Sequence, residues 1–158
     1  MNHTDLLSPE IQGVLRTAGW SPEWAVDITN WVNTLRAEGN AVPSVAMDIL
    51  KNFGGIQLRH RGAGGASYFD FDVDPSHWFG MRDEIREVER AVGCSVCPLG
   101  ETLGASMLAV LDDGRIIVDK DGDIALLGKD WPQALDLMAL GRGGYVPLAE
   151  DYVPVEHE

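Results

Sequence analysis

From Met107 to Gly128 the chain reads MLAVL DDG RIIVD KDG DIALLG, three apolar runs parted by two short turns. Val, Ile and Leu suit the pleated, half-buried surface of a sheet. Each Asp-Gly step, ending at Gly114 and at Gly122, supplies the positive φ that a tight hairpin demands. Strand, turn, strand, turn, strand is an antiparallel meander. Side chains alternate along a strand, so Ile116 and Val118 share one face while Ile117 and Asp119 share the other. Three strands with an apolar face need a cover, and the flanking segments supply helices for it.

Toward the N-terminus, Ser8-Pro9-Glu10 is a helix start, with Ile11, Val14, Leu15 and Ala18 as its stripe and Gly19 as its end. Ser21-Pro22-Glu23 repeats the signal ahead of Trp24, Ile28, Trp31, Val32 and Leu35, and Gly39 closes that helix. At this spacing the tryptophans are better explained as core than as a ligand pocket. Pro43 opens a third helix carrying Ala46, Ile49, Leu50 and Phe53, and Gly54-Gly55 turns it into a strand at Ile56–Leu58. Past a glycine-rich loop, Phe69, Phe71 and Val73 alternate with Tyr68, Asp70, Asp72 and Asp74, as in a half-buried strand with an acidic outer face. A helix over 77–92, a short strand over 95–98, the meander, and a last helix capped by Asp130 complete the order. The expected fold class is α+β, with N-terminal helices packed on a mostly antiparallel sheet that ends in a β-meander and a closing helix. One domain is expected over 6–145 and an acidic tail over 146–158.

A chain of 158 residues is most simply one domain with a real core. Its charge is lopsided: 25 acids against 12 bases give −13. Such a surface repels nucleic acid and anionic membranes and attracts basic partners, although acidity also serves solubility alone. The N-terminal residues lack the basic and apolar regions of a secretory signal, and no apolar run is long enough to span a bilayer. Two cysteines, Cys94 and Cys97, fit reduced thiols in the cytosol.

Motifs for catalysis are weak. Cys94-Ser95-Val96-Cys97 has no second ligand pair for zinc and leaves a helix rather than entering one, so buried or half-buried thiols explain it better. Asp119, Asp121, Asp123 and Asp130 fall at positions 1, 3, 5 and 12 of a calcium loop, but the glycine stands at position 4 and Ile124 at position 6. Gly104-Ala105-Ser106-Met107-Leu108 lacks the last glycine of a hydrolase elbow. Gly62, Gly64 and Gly65 precede a strand, not the helix that a dinucleotide fingerprint needs. Asp70 and Asp72 fit a solvated strand face better than a catalytic carboxylate pair, and no histidine has an evident Ser or Cys partner. No cofactor, metal or catalytic residue is expected.

A set of short motifs in fixed order resembles the third subgroup of the SUKH superfamily. They are Leu15-Arg16-Thr17-Ala18-Gly19-Trp20, Val26-Asp27-Ile28 and Leu50-Lys51-Asn52-Phe53-Gly54-Gly55-Ile56, followed by Phe71-Asp72-Val73-Asp74-Pro75. Pro98-Leu99-Gly100-Glu101, Leu111-Asp112-Asp113-Gly114-Arg115, Leu127-Gly128 and Ala134-Leu135-Asp136-Leu137 continue the series, and the resemblance covers about residues 13 to 143. Trp24 stands where a basic residue is expected, and Ile117 where an aromatic one is. The resemblance implies a bacterial immunity protein of α+β fold, without enzymatic activity or cofactor, that binds a polymorphic toxin and blocks its active site. Many such toxins are nucleases or nucleic-acid deaminases, whose basic clefts an acidic surface would fill. The expected partner-binding residues are Tyr68, Asp70, Asp72, Asp74, Asp112, Asp113, Asp121 and Asp123. Two other classes fit less well: an intracellular scaffold or regulatory binder, which the neighbouring genes would reveal, and a carboxylate-dependent hydrolase, which a metal titration would reveal.

Overall fold

A computed structural model describes residues 7–59, 70–142 and 146–148. The elements run α1 (Pro9–Arg16), α2 (Thr29–Ala37), α3 (Ser44–Phe53), β1 (Gln57–Leu58), β2 (Phe71–Asp72), a 3-10 turn (Pro75–Trp78), α4 (Arg82–Val92), β3 (Val96–Thr102), β4 (Ser106–Leu111), β5 (Ile116–Lys120), β6 (Asp123–Gly128), α5 (Trp131–Leu140) and β7 (Val146–Leu148). The seven strands form one sheet in sequence order, every pair antiparallel. The expected α+β class and closing helix are what the chain adopts. The sheet continues into Val146–Leu148, beyond where the sequence reading ended the domain.

The meander forms as its turns dictate. Asp121 and Gly122 both take positive φ, 53° and 96°, between the paired residues Lys120 and Asp123. That is the mirror-image turn whose twist matches the flanking strands. Gly114 at φ 98° closes the other hairpin, where Asp113 binds Arg115 at 2.8 Å. The two faces then divide as the alternation requires. Ile116 and Val118 join Leu108, Val110 and Leu127 in the larger core beneath the N-terminal helices and α5, whereas Ile117 joins Met107, Ala109, Leu111 and Ile124 beneath α4.

Side-chain caps set the starts of the first and last helices. Ser8 accepts from the Ile11 N–H at the start of α1, and Asp130 accepts from that of Gln133 at the start of α5. The second helix begins later than its Ser-Pro-Glu signal. Asp27 takes both the N–H and the hydroxyl of Thr29, at 3.0 and 2.6 Å, so α2 starts there. Trp24 therefore precedes the helix and donates its indole N–H to Gly54. The helix expected over 77–92 is likewise two pieces. Asp74 caps the 3-10 turn through Ser76, and Gly80 at φ 79° breaks the chain before α4. The expected strand over 95–98 is longer, running to Thr102. Cys97 is buried, which pushes its thiol up to about 12, and burial also raises half-buried Cys94. Burial disfavours the thiolate at both positions, and the pair is buried and half-buried as the isolated CxxC suggested.

Candidate partner-binding site

Registers across the sheet place Asp72, Glu101, Met107, Asp119 and Ile124 directly opposite one another in turn. Opposed residues share a face. One row beneath α4 and the 3-10 turn therefore carries three carboxylates and two apolar side chains. Outside it lie exposed Asp70, Asp121 and Asp123, at the same end of the sheet.

The expected residues separate into distinct groups. Asp121 and Asp123 are exposed on the β5–β6 turn, and Asp70 is exposed beside β2. Asp112 and Asp113 are exposed too, but on the β4–β5 turn at the opposite end. The length of β5 between them is roughly 17 Å at strand rise. Asp74 is half-buried and occupied as a cap. Tyr68 lies outside the described residues. Asp72 differs most from its expected place on a solvated face: it is 8% exposed. Its Oδ1 accepts from the Glu101 N–H at 3.2 Å, and its Oδ2 lies 3.2 Å from His77 Nε2. The alternation of β2 points Asp72 away from the larger core as expected, but the 3-10 turn folds His77 back over it.

Asp72, His77 and Glu101 bring three potential metal-ligand atoms within 4.8 Å of one another. Both Asp72 oxygens have hydrogen-bond partners, as a buried carboxylate requires, while Glu101 stands 3.9 Å from His77 Nδ1. Sequence reading missed this cluster because His77 arrives from a turn five residues on, and Glu101 from β3.

It also missed a groove. A cavity of about 650 Å³ opens between α4, the β3–β4 turn and the β5–β6 turn. Trp78, Met81, Val88 and Ile124 give it apolar walls, and Glu84, Glu87, Asp119 and Asp121, against the cation Lys120, give it net negative charge. Asp119 is half-buried in the groove: burial raises its pKa above the ordinary carboxylate value, and Asp121 and Asp123 add to this against the Gly122 N–H bond at 3.0 Å. The charged form is thus disfavoured in the folded protein. At neutral pH Asp119 lowers stability, and this penalty fades as pH falls through its raised pKa toward the ordinary carboxylate range. Asp119→Asn, which keeps the oxygen facing Gly122, is expected to raise the urea midpoint modestly at pH 7 and to leave it unchanged near pH 3. A lower midpoint at pH 7 would contradict this account.

Fold and surface together define a class: an α+β domain presenting an acidic, part-apolar face of the kind that protein partners cover. The family model for SUKH-3 immunity protein matches residues 7–141, and the chain belongs to that family. No curated protein and no solved structure matches it. Membership implies the binding of a cognate toxin. Among the described residues no helix is long and apolar enough to cross a membrane.

Proposed function

We propose that this chain neutralises a toxin that acts on nucleic acid, by laying its acidic sheet end over the toxin's basic substrate cleft. The protein makes and breaks no bonds of its own, uses no cofactor, and acts in the bacterial cytoplasm before the toxin reaches its substrate. What carries the reading is the acidic edge along one end of the sheet, with exposed Asp70 beside β2, exposed Asp121 and Asp123 on the β5–β6 turn, and the half-buried Glu101 and Asp119 between them, in a family of immunity proteins. Carboxylates grouped this way present to a basic cleft what phosphates would, and they speed encounter through the field they sum.

The steering residues follow from screening. The Debye length is roughly 8 Å at physiological salt, so the β4–β5 turn, about 17 Å away along β5, is largely cut off from Asp121 and Asp123. Asp70 lies a similar distance away across the sheet, roughly 14–19 Å, but Glu101 and Asp119 stand between and link it to them. Stopped-flow association with the C-terminal domain of the protein encoded by the adjacent gene, taken as the candidate toxin, tests it. Reversing Asp70, Asp121 and Asp123 to Lys is expected to slow association about 10- to 100-fold at low salt and to flatten its salt dependence. Reversing Asp112 and Asp113 is expected to do much less. Unchanged rates in the first variant, or a larger effect in the second, would overturn the placement. Reversal at Asp72 is uninformative, because it also puts a cation into a buried bond network.

A further inference from the structure

We infer that the groove beneath α4 is where the toxin anchors, taking one long cationic side chain, arginine or lysine, from an apolar stretch of that protein. This rests on the toxin-binding reading and adds its point of attachment.

The groove's chemistry selects the occupant. Its lining is net negative, with Glu84, Glu87, Asp119 and Asp121 against Lys120, and although Glu87 is already paired with Arg90 at 2.6 Å the balance disfavours phosphates and other anions. Its walls of Trp78, Met81, Val88 and Ile124 disfavour a hydrated inorganic ion. An aliphatic stem with a cationic head satisfies both, because such side chains lay their methylenes on apolar surface and keep the charge at a polar end. Asp119 is the receiving group. One of its oxygens is held by the Gly122 N–H, and among the described residues it forms no ion pair. A cation there relieves the penalty of its burial.

The groove is also held in shape before any partner arrives. Trp78 is fixed by its indole N–H on the Gly100 carbonyl at 2.8 Å. The α4 helix is tied down by Arg82, which binds Glu89 at 3.0 Å and Asn40 at 3.2 Å, while Glu89 also accepts from the Val96 N–H. Leu103, on the opposite lip, takes φ 51°, which a bulky side chain rarely adopts. A preformed site loses less entropy on binding, and so binds tighter for the same contacts.

The test separates anchoring from steering. Ala91 is exposed on α4 and lines the groove, so Ala91→Trp fills it without entering the core. With the candidate toxin's C-terminal domain, Ala91→Trp and Asp119→Asn are each expected to speed dissociation by about 30-fold or more, with association near wild type. Hydrogen exchange in the wild-type complex is expected to slow at 82–91, 103–106 and 119–124. Urea unfolding confirms that each variant is folded. If the wild-type chain binds and both variants dissociate like it, or if protection falls elsewhere, the anchor assignment is wrong and the toxin-binding reading stands. If the wild-type chain neither binds nor protects cells, the toxin-binding reading fails first. A small molecule that co-purifies with wild type and is lost from Ala91→Trp would make the groove a metabolite pocket and overturn the assignment.

Discussion

Phe53→Ala is expected to destabilise the protein by about 3–5 kcal/mol, the cost of emptying an aromatic site in a packed core. The ring ends α3 and is 1% exposed. Trp20 lies nearly parallel to it, 2° apart with centroids at 5.8 Å, and Trp131 meets it at 58° and 5.5 Å. Phe53 thus joins the segment after α1, the end of α3 and the start of α5. Trp20 cannot readily move into the gap, because its indole N–H is held by the Asn52 carbonyl at 3.0 Å. A domain of this size loses roughly 2–4 °C of melting temperature per kcal/mol. A loss of about 6–20 °C is therefore expected, against a total stability of roughly 5–15 kcal/mol. The urea midpoint should fall with an unchanged slope. Toxin binding well below the midpoint should stay near wild type, since the groove lies on the other face of the sheet. A loss under about 1 kcal/mol would show that the neighbours close the cavity freely.

The contrast between that core and the groove explains what the sequence made legible. Core positions announce themselves through local periodicity. Ile49, Leu50 and Phe53 repeat at helical spacing, and Ile116 and Val118 alternate along a strand. Asp121-Gly122 needs positive φ and nothing else. Family membership was legible for the same reason, since its motifs are mostly these caps, turns and core residues. The errors fall where two local signals compete. Ser21-Pro22 and Asp27 both start helices, and Asp27 won because Thr29 offers it two donors at once. Asp74 likewise split the expected long helix by capping a short turn first. The groove was hidden for a different reason. Trp78 and Met81, Leu103, and Asp119 and Asp121 come from three separate stretches of the chain, and no periodicity in the sequence relates the three. Glu84 and Glu87 carried the one local hint, as acids on the outer face of an amphipathic helix, and that pattern describes most surface helices equally well.

Gly100→Ala is expected to be similarly damaging, about 3 kcal/mol or more, and to reach the binding face as well. Its backbone angle is an ordinary one, so alanine there would normally gain about 0.4–1 kcal/mol by restricting the unfolded chain. Space decides otherwise. A Cβ at position 100 falls well inside contact distance of the Asp72 carbonyl oxygen and against its carboxylate. Both obstacles are backbone or pinned side chain, so no flexible tip can swing away. Gly100 also sits where the β3–β4 register shifts, which lets the two strands keep pairing past it. The cheapest escape is for β2 to part from β3. That breaks the Phe71–Thr102 and Asp72–Glu101 pairs and leaves a buried carboxylate short of the Glu101 N–H. The Trp78 indole, anchored on Gly100, shifts with it, so toxin affinity should fall even where the variant is folded. Gly104→Ala is the matched control. It has open space around a Cβ but a φ of 82°, and is expected to cost only the roughly 1–2 kcal/mol of a left-handed residue. Urea midpoints for the pair separate crowding from backbone strain, and toxin affinity is read for Gly100→Ala against wild type, because Gly104 itself lines the groove. If Gly100→Ala costs no more than Gly104→Ala, then β2 yields easily, and the close approach at Gly100 is not what holds the acidic row beneath α4.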